Sequence, residues 1–440
     1  MLASVFGLML ALMSARRGST GHQVPDATPA TLGAYDGAVQ LDLERATLSG
    51  QWRVRESDTT TDSTVLLLNG GLTVDTVHGL WVASHATRVE RGLTQLTVQW
   101  KSGAPRDQRI VHLATHGALQ LGEDRINSLS VAWTELGLDS FWYPVFADFA
   151  HDVTGTVRVT IPRSANGARM ALRASGALTQ RGDTVVITNH RPLPDFAFVA
   201  APVLSSSTRE TGSGKSRARV SVHHVNATDA DVQRYLETTS RCTAWLNARY
   251  GVREPIADAG IVLAPRTGPG YARAGYIVIS AGELSRVDTM PNAALRADVA
   301  RSQFICHELA HYWSTGAVSN GPENWLNEGF AEFVSMRAVR ALHGDSVYTA
   351  TLARYTQLSA KQPPVWRADI VSRPNAMVAY RKAPVLLDSL ARRVGETDIE
   401  RILTQFLAMP APRTTPKMLA IVEAVAGRET REWFETALGR

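Results

Sequence analysis

Hydrophobic and polar residues alternate along short segments through the first half of the chain. Segments 64–68, 96–100, 155–161 and 183–187 are rich in Val, Ile, Leu and Thr, and stretches that contain Gly, Asp, Asn and Pro separate them. This period of two is typical of strands that bury one face in a sheet. We therefore predict an N-terminal domain over residues 34–204, built as an antiparallel β-sandwich or saddle.

The pattern changes after a polar segment. Residues 205–219 (SSSTRETGSGKSRAR) lack hydrophobic periodicity, which is typical of a linker between domains. A strand is predicted at 220–225, and amphipathic helices fill the chain from about residue 298 onward. The predicted helices lie at 298–315, 325–343, 377–394, 396–408 and 415–437. Residues 220–440 are therefore predicted to form a mixed α/β domain that ends in helices, which assigns the whole chain to the α+β class.

An apolar run opens the chain. Residues 2–13 (LASVFGLMLALM) are followed by small residues and then by Arg16 and Arg17. Twelve residues are too few to span a bilayer but match the apolar region of a signal peptide. We expect residues 1–33 to be a signal peptide or anchor with a polar leader. The protein is then expected to be exported. It would be periplasmic, secreted to the medium, or anchored to a membrane at its N-terminus. A misassigned start codon is an alternative.

Composition narrows the classes of function. The chain has 440 residues, of which 44% are hydrophobic and 20% charged, and these values exclude a disordered or multi-span membrane protein. The net charge of +5 comes without long runs of like charge, so we predict no nucleic-acid partner. Two cysteines, Cys242 and Cys306, are too few for a disulfide scaffold or a cysteine-rich metal site. Cys306 is predicted to be a small buried hydrophobic residue.

The sequence His307-Glu308-Leu309-Ala310-His311 lies inside the predicted helix 298–315. Histidines four residues apart lie on one face of a helix, so both imidazoles can reach one zinc ion. Glu308 is rotated by about 100° from His307 and would reach the metal only through a bound water. That is the place of a general base. Two ordinary histidines on a helix are the alternative.

A third ligand is available on the next predicted helix. Glu328 would project from it into the groove shared with the first helix, and it completes a His-His-Glu site for one zinc ion. Glu332, one turn further on, could accept the spare N–H of a ligand histidine. The sequence therefore predicts an open zinc site of the kind that enzymes use. The alternative is a protein that keeps these ligands but has lost its catalytic activity.

The run HELAHYW followed by NWLNEGFAEF resembles the gluzincin metallopeptidases, and specifically the membrane-alanyl aminopeptidase family, which includes aminopeptidase N and the leukotriene hydrolases. Within this resemblance His307, His311 and Glu328 match the zinc ligands, and Glu308 matches the general base. The likeness covers roughly residues 120–440. It implies a thermolysin-like catalytic domain, one Zn²⁺ ion and a peptide or protein substrate.

One further segment carries the resemblance, and the spacing between two of the predicted ligands departs from it. Residues 379–387 are similar to the family's Y-x-K-G helix, which puts Tyr380 at the tyrosine that stabilises the transition state. Two fewer residues separate His311 from Glu328 than is usual in the family, so Glu332 is an alternative ligand. The likeness also leaves no room for the C-terminal helical domain of many relatives, and we expect an open cleft.

The largest departure lies ahead of the zinc helix. Residues 270–277 (GYARAGYI) occupy the place of the family's G-A-M-E-N strand, and Arg273 falls at the glutamate that binds the amino terminus of the substrate. A guanidinium there would repel an α-ammonium group. We expect the backbone of residues 275–279, beginning at Gly275, to pair with an extended peptide. Arg273 would face an acidic side chain, a C-terminal carboxylate or solvent.

These observations predict a zinc-dependent peptide-bond hydrolase. An aminopeptidase with a non-standard site for the amino terminus, and a catalytically degenerate peptide-binding protein, are the alternatives. The expected partner is a peptide or protein substrate, and association with a membrane surface is expected only through the N-terminus.

Overall fold

A computed structural model describes residues 32–56, 61–121, 126–149, 152–164, 166–252, 258–268, 270–280 and 293–440. The predicted signal peptide and most of its polar leader lie outside these residues. Strands fill the first part of the chain and helices the last. Among the described residues no helix is both long and apolar enough to cross a membrane.

The N-terminal region holds fifteen of the described strands. They are β1 (Leu32–Asp42), β2 (Thr47–Arg55), β3 (Ser63–Asn69), β4 (Leu72–His78), β5 (Val82–Glu90), β6 (Leu93–Trp100), β7 (Ile110–Ala118), β8 (Ser128–Leu129), β9 (Thr134–Leu136), β10 (Val145–Phe146), β11 (Asp152–Thr160), β12 (Ala171–Ala174), β13 (Ala177–Arg181), β14 (Thr184–Leu193) and β15 (Phe198–Ala201).

Three sheets arrange these strands. Their orders are β13-β14-β11-β1-β2-β7-β4, β10-β3-β6-β5 and β12-β15-β9-β8. Alternate residues of β2 are buried, as the period of two predicts, and Trp52 and Val54 on that strand join a core with Leu66 and Trp142. One pairing departs from the predicted antiparallel arrangement, because β1 and β11 run parallel. These two strands are far apart in the chain, so the connection is long enough for a parallel pair.

A five-stranded sheet opens the second region, in the order β16-β17-β18-β20-β19. Its strands are β16 (Ser205–Thr211), β17 (Ala218–His224), β18 (Asp258–Ala264), β19 (Tyr271–Arg273) and β20 (Tyr276–Ser280). Strands β17, β18 and β20 are parallel to one another, and β16 and β19 are antiparallel edges.

The prediction that residues 205–219 form a linker is wrong for most of that segment. Residues Ser205–Thr211 form β16, which pairs with β17 along its whole length. An edge strand can be polar because its pairing needs only backbone groups. The Thr211 hydroxyl also donates to the carbonyl of Ser240 at 3.0 Å, which fixes this edge against the helix behind it.

Eight α-helices and one π-helical turn complete the described part of the fold. The helices are α1 (Asp229–Tyr250), α2 (Ala293–Ser314), α3 (Asn324–His343), α4 (Asp345–Ser359), α5 (Ala383–Val394), α6 (Glu396–Ala408), α7 (Thr415–Ala426) and α8 (Arg428–Leu438), and the π-helical turn is Val378–Lys382. Thr228 caps α1 by accepting from the N–H of Asp231. The predicted helix 415–437 is divided at Gly427, whose φ of 85° is left-handed.

Two large hydrophobic clusters lie on either side of residues 205–219. One is built by the N-terminal sheets and the other by the five-stranded sheet and the helices. A third, smaller cluster joins residues of both regions, including Trp133 and Val199 from one side and Val262 and Val278 from the other. The N-terminal sheets are therefore packed directly against the sheet that leads to the predicted zinc helix.

A disulfide joins Cys242 on α1 to Cys306 on α2. Cys306 is fully buried, as predicted, but it is bonded to Cys242 and is not a free hydrophobic side chain. The partners lie 64 residues apart in sequence, and only the packing of α1 against α2 brings them together. The predicted α+β class, with N-terminal sheets and a mixed domain that ends in helices, is confirmed.

Candidate metal centre

Helices α2 and α3 form an antiparallel pair, and the predicted site lies between them. Asn327 holds the turn that connects them, because its side chain accepts from the N–H of Ala317 at 3.1 Å and donates to the carbonyl of the same residue at 3.0 Å. Gln303 on α2 donates to the Ser335 hydroxyl on α3 at 2.6 Å. These bonds fix the register in which the face of α2 that bears His307 meets α3.

The side chains of His307, His311 and Glu328 converge in this groove. The Nε2 atoms of the two histidines lie 3.6 and 3.4 Å from Oε2 of Glu328. One ligand atom from each of the three residues lies within 4.8 Å of the others. The structure thus brings together the three residues that the sequence proposes as ligands.

The donor set fits a zinc ion. Oε2 of Glu328 is buried and accepts no hydrogen bond from the described residues. Nδ1 of His311 lies 3.4 Å from the Ser314 hydroxyl, which leaves Nε2 to face the groove. Two imidazole nitrogens and one carboxylate oxygen make the ligand set of an open zinc site. A buried oxygen of this kind is costly unless a cation or a proton donor compensates it.

The electrostatics of the metal-free centre favour a charged carboxylate. Burial acts to raise the pKa of Glu328, but the neighbouring His311 and His307 lower it well below its usual range. Burial alone would lower the pKa of His307, yet Glu328 and Glu332 raise it to about 10. Without a metal, the centre therefore favours a protonated His307 beside a charged Glu328.

Glu308 lies beside the ligands on α2. It is 8% exposed, and burial raises the pKa of its carboxyl group, an effect that His307 and His311 only partly offset. Its place in the sequence and its burial are those expected of a group that exchanges protons with water next to a metal.

Glu332 lies behind His307 and not in the ligand set. Its Oε2 atom is 2.7 Å from Nδ1 of His307, on the side of the ring away from Glu328. Its Oε1 atom accepts from Arg381 at 3.0 Å and from the hydroxyl of Tyr355. This is the arrangement predicted for an acceptor of the spare N–H, so the geometry favours Glu328 over Glu332 as the ligand.

Tyr380 lies in the π-helical turn and stacks on the metal centre. Its ring centroid is 5.5 Å from that of His307, at an interplanar angle of 24°. Burial and the charge of Glu328 raise the pKa of its hydroxyl well above the usual value, so the group stays protonated. A π-helical turn inserts an extra residue into a helix and is frequent at functional sites.

Gly329 allows the π-helical turn to approach α3. A Cβ atom at this position would lie 2.7 Å from Cβ of Ala383 and 3.4 Å from the carbonyl oxygen of Ala379. Any larger residue would therefore push the Tyr380 segment away from the ligand Glu328. Nothing in the sequence pattern distinguishes Gly329 from an ordinary helix glycine, so periodicity does not predict this contact.

Arg273 does not face solvent. Its Nε atom donates to Oδ2 of Asp195 at 2.7 Å, its guanidinium stacks on Tyr271 at 4.4 Å, and its side chain is 16% exposed. A second carboxylate, Asp139, lies 4.0 Å away. The predicted contact with an acidic side chain exists, but the acid belongs to the protein. Its charge is thus largely balanced before any substrate arrives, which weakens the expected repulsion of an α-ammonium group.

The prediction that residues 275–279 pair with a peptide is wrong for residues 276–278. Strand β20 pairs with β18 along its length and with β19 at these three residues, so their backbone is already flanked on both sides. Gly275 lies in the turn between β19 and β20 with a φ of 93°. On this side the edge strand of the sheet is β19, and its Arg273 carbonyl accepts from the Tyr312 hydroxyl of α2 at 3.0 Å.

Comparison with known families identifies the helical half of the chain. Residues 236–418, which include the metal centre and Tyr380, match the Peptidase family M1 domain. This part of the chain is similar to an M1 peptidase domain. This confirms the predicted resemblance to the gluzincin metallopeptidases.

Solved structures share the fold of the M1 domain and of the sheets that precede it. The M1 zinc metallopeptidase from Deinococcus radiodurans aligns with a TM-score of 0.66 over 92% of this chain and 93% of its own, at 20% identity. A mutant of that enzyme bound to a Tyr-Ser-Ala substrate aligns with a TM-score of 0.63 at 19% identity, over the same shares of the two chains. At this identity the likeness establishes the fold.

The matches to curated relatives cover only part of each protein. Aminopeptidase N from Acetobacter pasteurianus is 22% identical over 200 residues, which are 44% of this chain and 54% of that protein. Leucine aminopeptidase 2 from Sclerotinia sclerotiorum is 28% identical over 166 residues, which are 35% of this chain and 23% of that protein. The chain thus spans about half or less of the length of these relatives.

Proposed function

We propose that the protein is a zinc-dependent hydrolase of peptide bonds, with one zinc ion held by His307, His311 and Glu328. The observation that carries this proposal is the convergence of two imidazole Nε2 atoms on a buried carboxylate oxygen that accepts no hydrogen bond within the described part of the chain. The M1 domain match supports it. A structural zinc site is usually closed by a fourth protein ligand, whereas this cluster of described residues has three.

Glu308 is the general base. When bound, zinc supplies a Lewis acid that acidifies a water and polarises the scissile carbonyl. The Glu308 carboxylate accepts the proton of that water as it attacks, and then delivers the proton to the leaving amine.

Tyr380 stabilises the negative charge that develops on the carbonyl oxygen. Its hydroxyl remains protonated, because its pKa lies well above the usual value, and it can therefore donate a hydrogen bond to that oxygen. Stacking on His307 fixes the ring beside the ligands. The proposed mechanism thus divides the chemistry between a proton carrier on α2 and a hydrogen-bond donor on the π-helical turn.

The test uses the full chain and a Glu308→Gln variant. Zinc content is measured by mass spectrometry, and hydrolysis is measured on a peptide library whose members have either free or blocked amino termini. We expect about one zinc per chain in both proteins, and a loss of turnover of about 10²- to 10⁴-fold in the variant. Retained activity in Glu308→Gln would overturn the role of the base. A zinc-loaded wild type that cleaves nothing would instead support a peptide-binding protein.

An aminopeptidase is a second candidate. It is favoured by the pairing of Arg273 with Asp195, since a balanced guanidinium no longer repels the amino terminus of a peptide. The curated relatives are named as aminopeptidases, which supports the same activity for this chain. Cleavage restricted to peptides with free amino termini would establish it, and equal cleavage of blocked peptides would exclude it.

Export is part of the proposal. It is supported by the apolar run at residues 2–13 and by the buried disulfide between Cys242 and Cys306. Disulfides persist in oxidising compartments and are rare in reducing ones. Fractionation of cells that express the full-length gene tests it, and a protein found wholly in the cytoplasm with free thiols would contradict it.

A further inference from the structure

Four residues join the metal ligand His307 to the segment that carries Tyr380, and we call them the Glu332 network. The network consists of His307 on α2, Glu332 on α3, Tyr355 on α4 and Arg381 in the π-helical turn. Glu332 is 5% exposed, and each of its oxygens has a partner in the network. Four separate elements of the fold therefore meet at one buried carboxylate.

Arg381 has a second contact that closes this network into a ring. The same Nη1 atom that donates to Glu332 at 3.0 Å also donates to the backbone carbonyl of Tyr380 at 2.8 Å. The ring of Tyr380 then stacks on His307, whose Nδ1 lies 2.7 Å from Glu332. A closed path thus runs from His307 through Glu332 and Arg381 to Tyr380 and back to His307.

The position of Arg381 is itself fixed from the other side. Its guanidinium lies 4.3 Å from the ring centroid of Tyr355, whose hydroxyl donates to the same oxygen of Glu332. A cation over an aromatic ring and a hydrogen bond to a carboxylate restrain the group in two directions. Arg381 therefore cannot shift without disturbing either the acceptor behind His307 or the carbonyl of Tyr380.

We propose that Arg381 is a positioning residue that sets two things together: the orientation of the His307 imidazole toward the metal, and the place of the Tyr380 hydroxyl beside it. Arg381 is not one of the three residues of the ligand group. It acts through Glu332 on one side and through the backbone of Tyr380 on the other. The effect on turnover rests on the proposed peptidase function, whereas the effect on metal affinity does not.

The test replaces Arg381 with Met, which keeps the apolar stem and removes the donors. We expect the dissociation constant for zinc, measured on chelator-stripped full-length protein by competition, to rise about 10- to 100-fold, as for other partners behind a metal ligand. The visible absorption of the cobalt-substituted protein should change, because it reports the geometry of the ligands. In zinc-saturated enzyme kcat should fall at least about 10-fold with KM within about 2-fold of wild type.

Arg354→Met is the matched control. Arg354 is exposed, and its guanidinium lies over the same Tyr355 ring at 5.5 Å, but it does not bond Glu332. This variant should keep the zinc affinity, the cobalt spectrum and the activity of the wild type. Arg381→Lys keeps the charge and one donor group, and it should recover part of each property that Arg381→Met loses.

Tyr355→Phe provides a second route if Arg381→Met fails to fold. It removes one donor to Glu332 but leaves the bond between Arg381 and the Tyr380 carbonyl, so zinc affinity should fall by less than in Arg381→Met. Wild-type zinc affinity and cobalt spectrum in folded Arg381→Met, or in Tyr355→Phe, would overturn the proposal. If the wild type binds zinc but hydrolyses no peptide, the proposed function fails while the metal measurements still decide the role of Arg381.

Discussion

The molecule contains two groups of buried charges. One lies at the boundary between the N-terminal sheets and the five-stranded sheet, and the other forms the metal centre. At the boundary, Arg266 binds both oxygens of Glu135 at 2.7 and 2.8 Å, and Arg273 binds Asp195 at 2.7 Å. At the metal centre, the buried Glu328 faces two histidine nitrogens at 3.4 and 3.6 Å.

The two groups differ in the basic side chain that faces the carboxylate. A guanidinium is always protonated, so an arginine and a carboxylate satisfy each other without a third participant. An imidazole nitrogen offers a lone pair unless it takes up a proton, so two histidines and a carboxylate are complete only with a proton or a metal ion. Similar burial and similar charge thus give a structural contact in one place and a binding site in the other.

The largest effect should follow from Glu328→Gln. This variant removes the charge of a ligand, so zinc binding should weaken more than it does when a partner behind a ligand is removed. Removal of such a partner weakens binding by about 10- to 100-fold. Chelator competition measures this. Glu135→Gln, at the boundary, is the control and should leave zinc affinity unchanged. Wild-type affinity in Glu328→Gln would return Glu332 to consideration as the third ligand.

Arg273→Met should have the next largest effect, and on folding stability instead of metal binding. It leaves the buried carboxylate of Asp195 without a cation, which should lower the free energy of unfolding by about 3–5 kcal/mol. Urea titration of the zinc-loaded protein measures this loss, and Arg273→Met combined with Asp195→Asn should recover part of it. If the free energy of unfolding fell by less than about 1 kcal/mol, the Arg273–Asp195 pair would contribute no more than an exposed ion pair does.

Gly329→Ala should cost less, about 1–3 kcal/mol, because its Cβ atom would lie 2.7 Å from that of Ala383. The displaced π-helical turn should also lower kcat, since Tyr380 moves with it. Gly321→Ala is the control, because the nearest atom to its Cβ is 3.5 Å away. Equal stability and activity in both variants would show that the π-helical turn can move without consequence.

The smallest effect concerns pH. Because the pKa of His307 in the metal-free protein is raised to about 10, zinc must displace a proton at neutral pH. Zinc affinity should therefore fall about tenfold for each unit by which the pH drops between 8 and 7. The proton stabilises the metal-free fold at neutral pH, and this contribution is lost as the pH rises through about 10. Calorimetry in buffers of different ionisation enthalpy counts the released proton, and a count of zero would contradict the raised pKa.

The parts of the site that follow from helical periodicity could be predicted from the sequence. His307 and His311 are one turn apart, as are Glu328 and Glu332, and this spacing alone places each pair on one face. The partners of Glu332 could not be predicted, because Tyr355 and Arg381 reach it from other elements through tertiary packing.

The same division applies to the fold. The long amphipathic helices and the strands of the N-terminal sheets were predictable, because burial of one face leaves a period in the sequence. The polar strand β16 leaves none, since its backbone pairing is independent of its side chains. Helix α4 was missed because only Leu352, Tyr355 and Ser359 are buried in it, which is too few to produce a clear apolar stripe.

The disulfide between Cys242 and Cys306 also bears on how the metal centre is held. Cys306 directly precedes the ligand His307 on α2, and its bond ties that turn of the helix covalently to α1. On the opposite side, Gln303 bonds α2 to Ser335 of α3. The helix that carries both histidines is therefore anchored by a covalent bond on one side and by a hydrogen bond on the other.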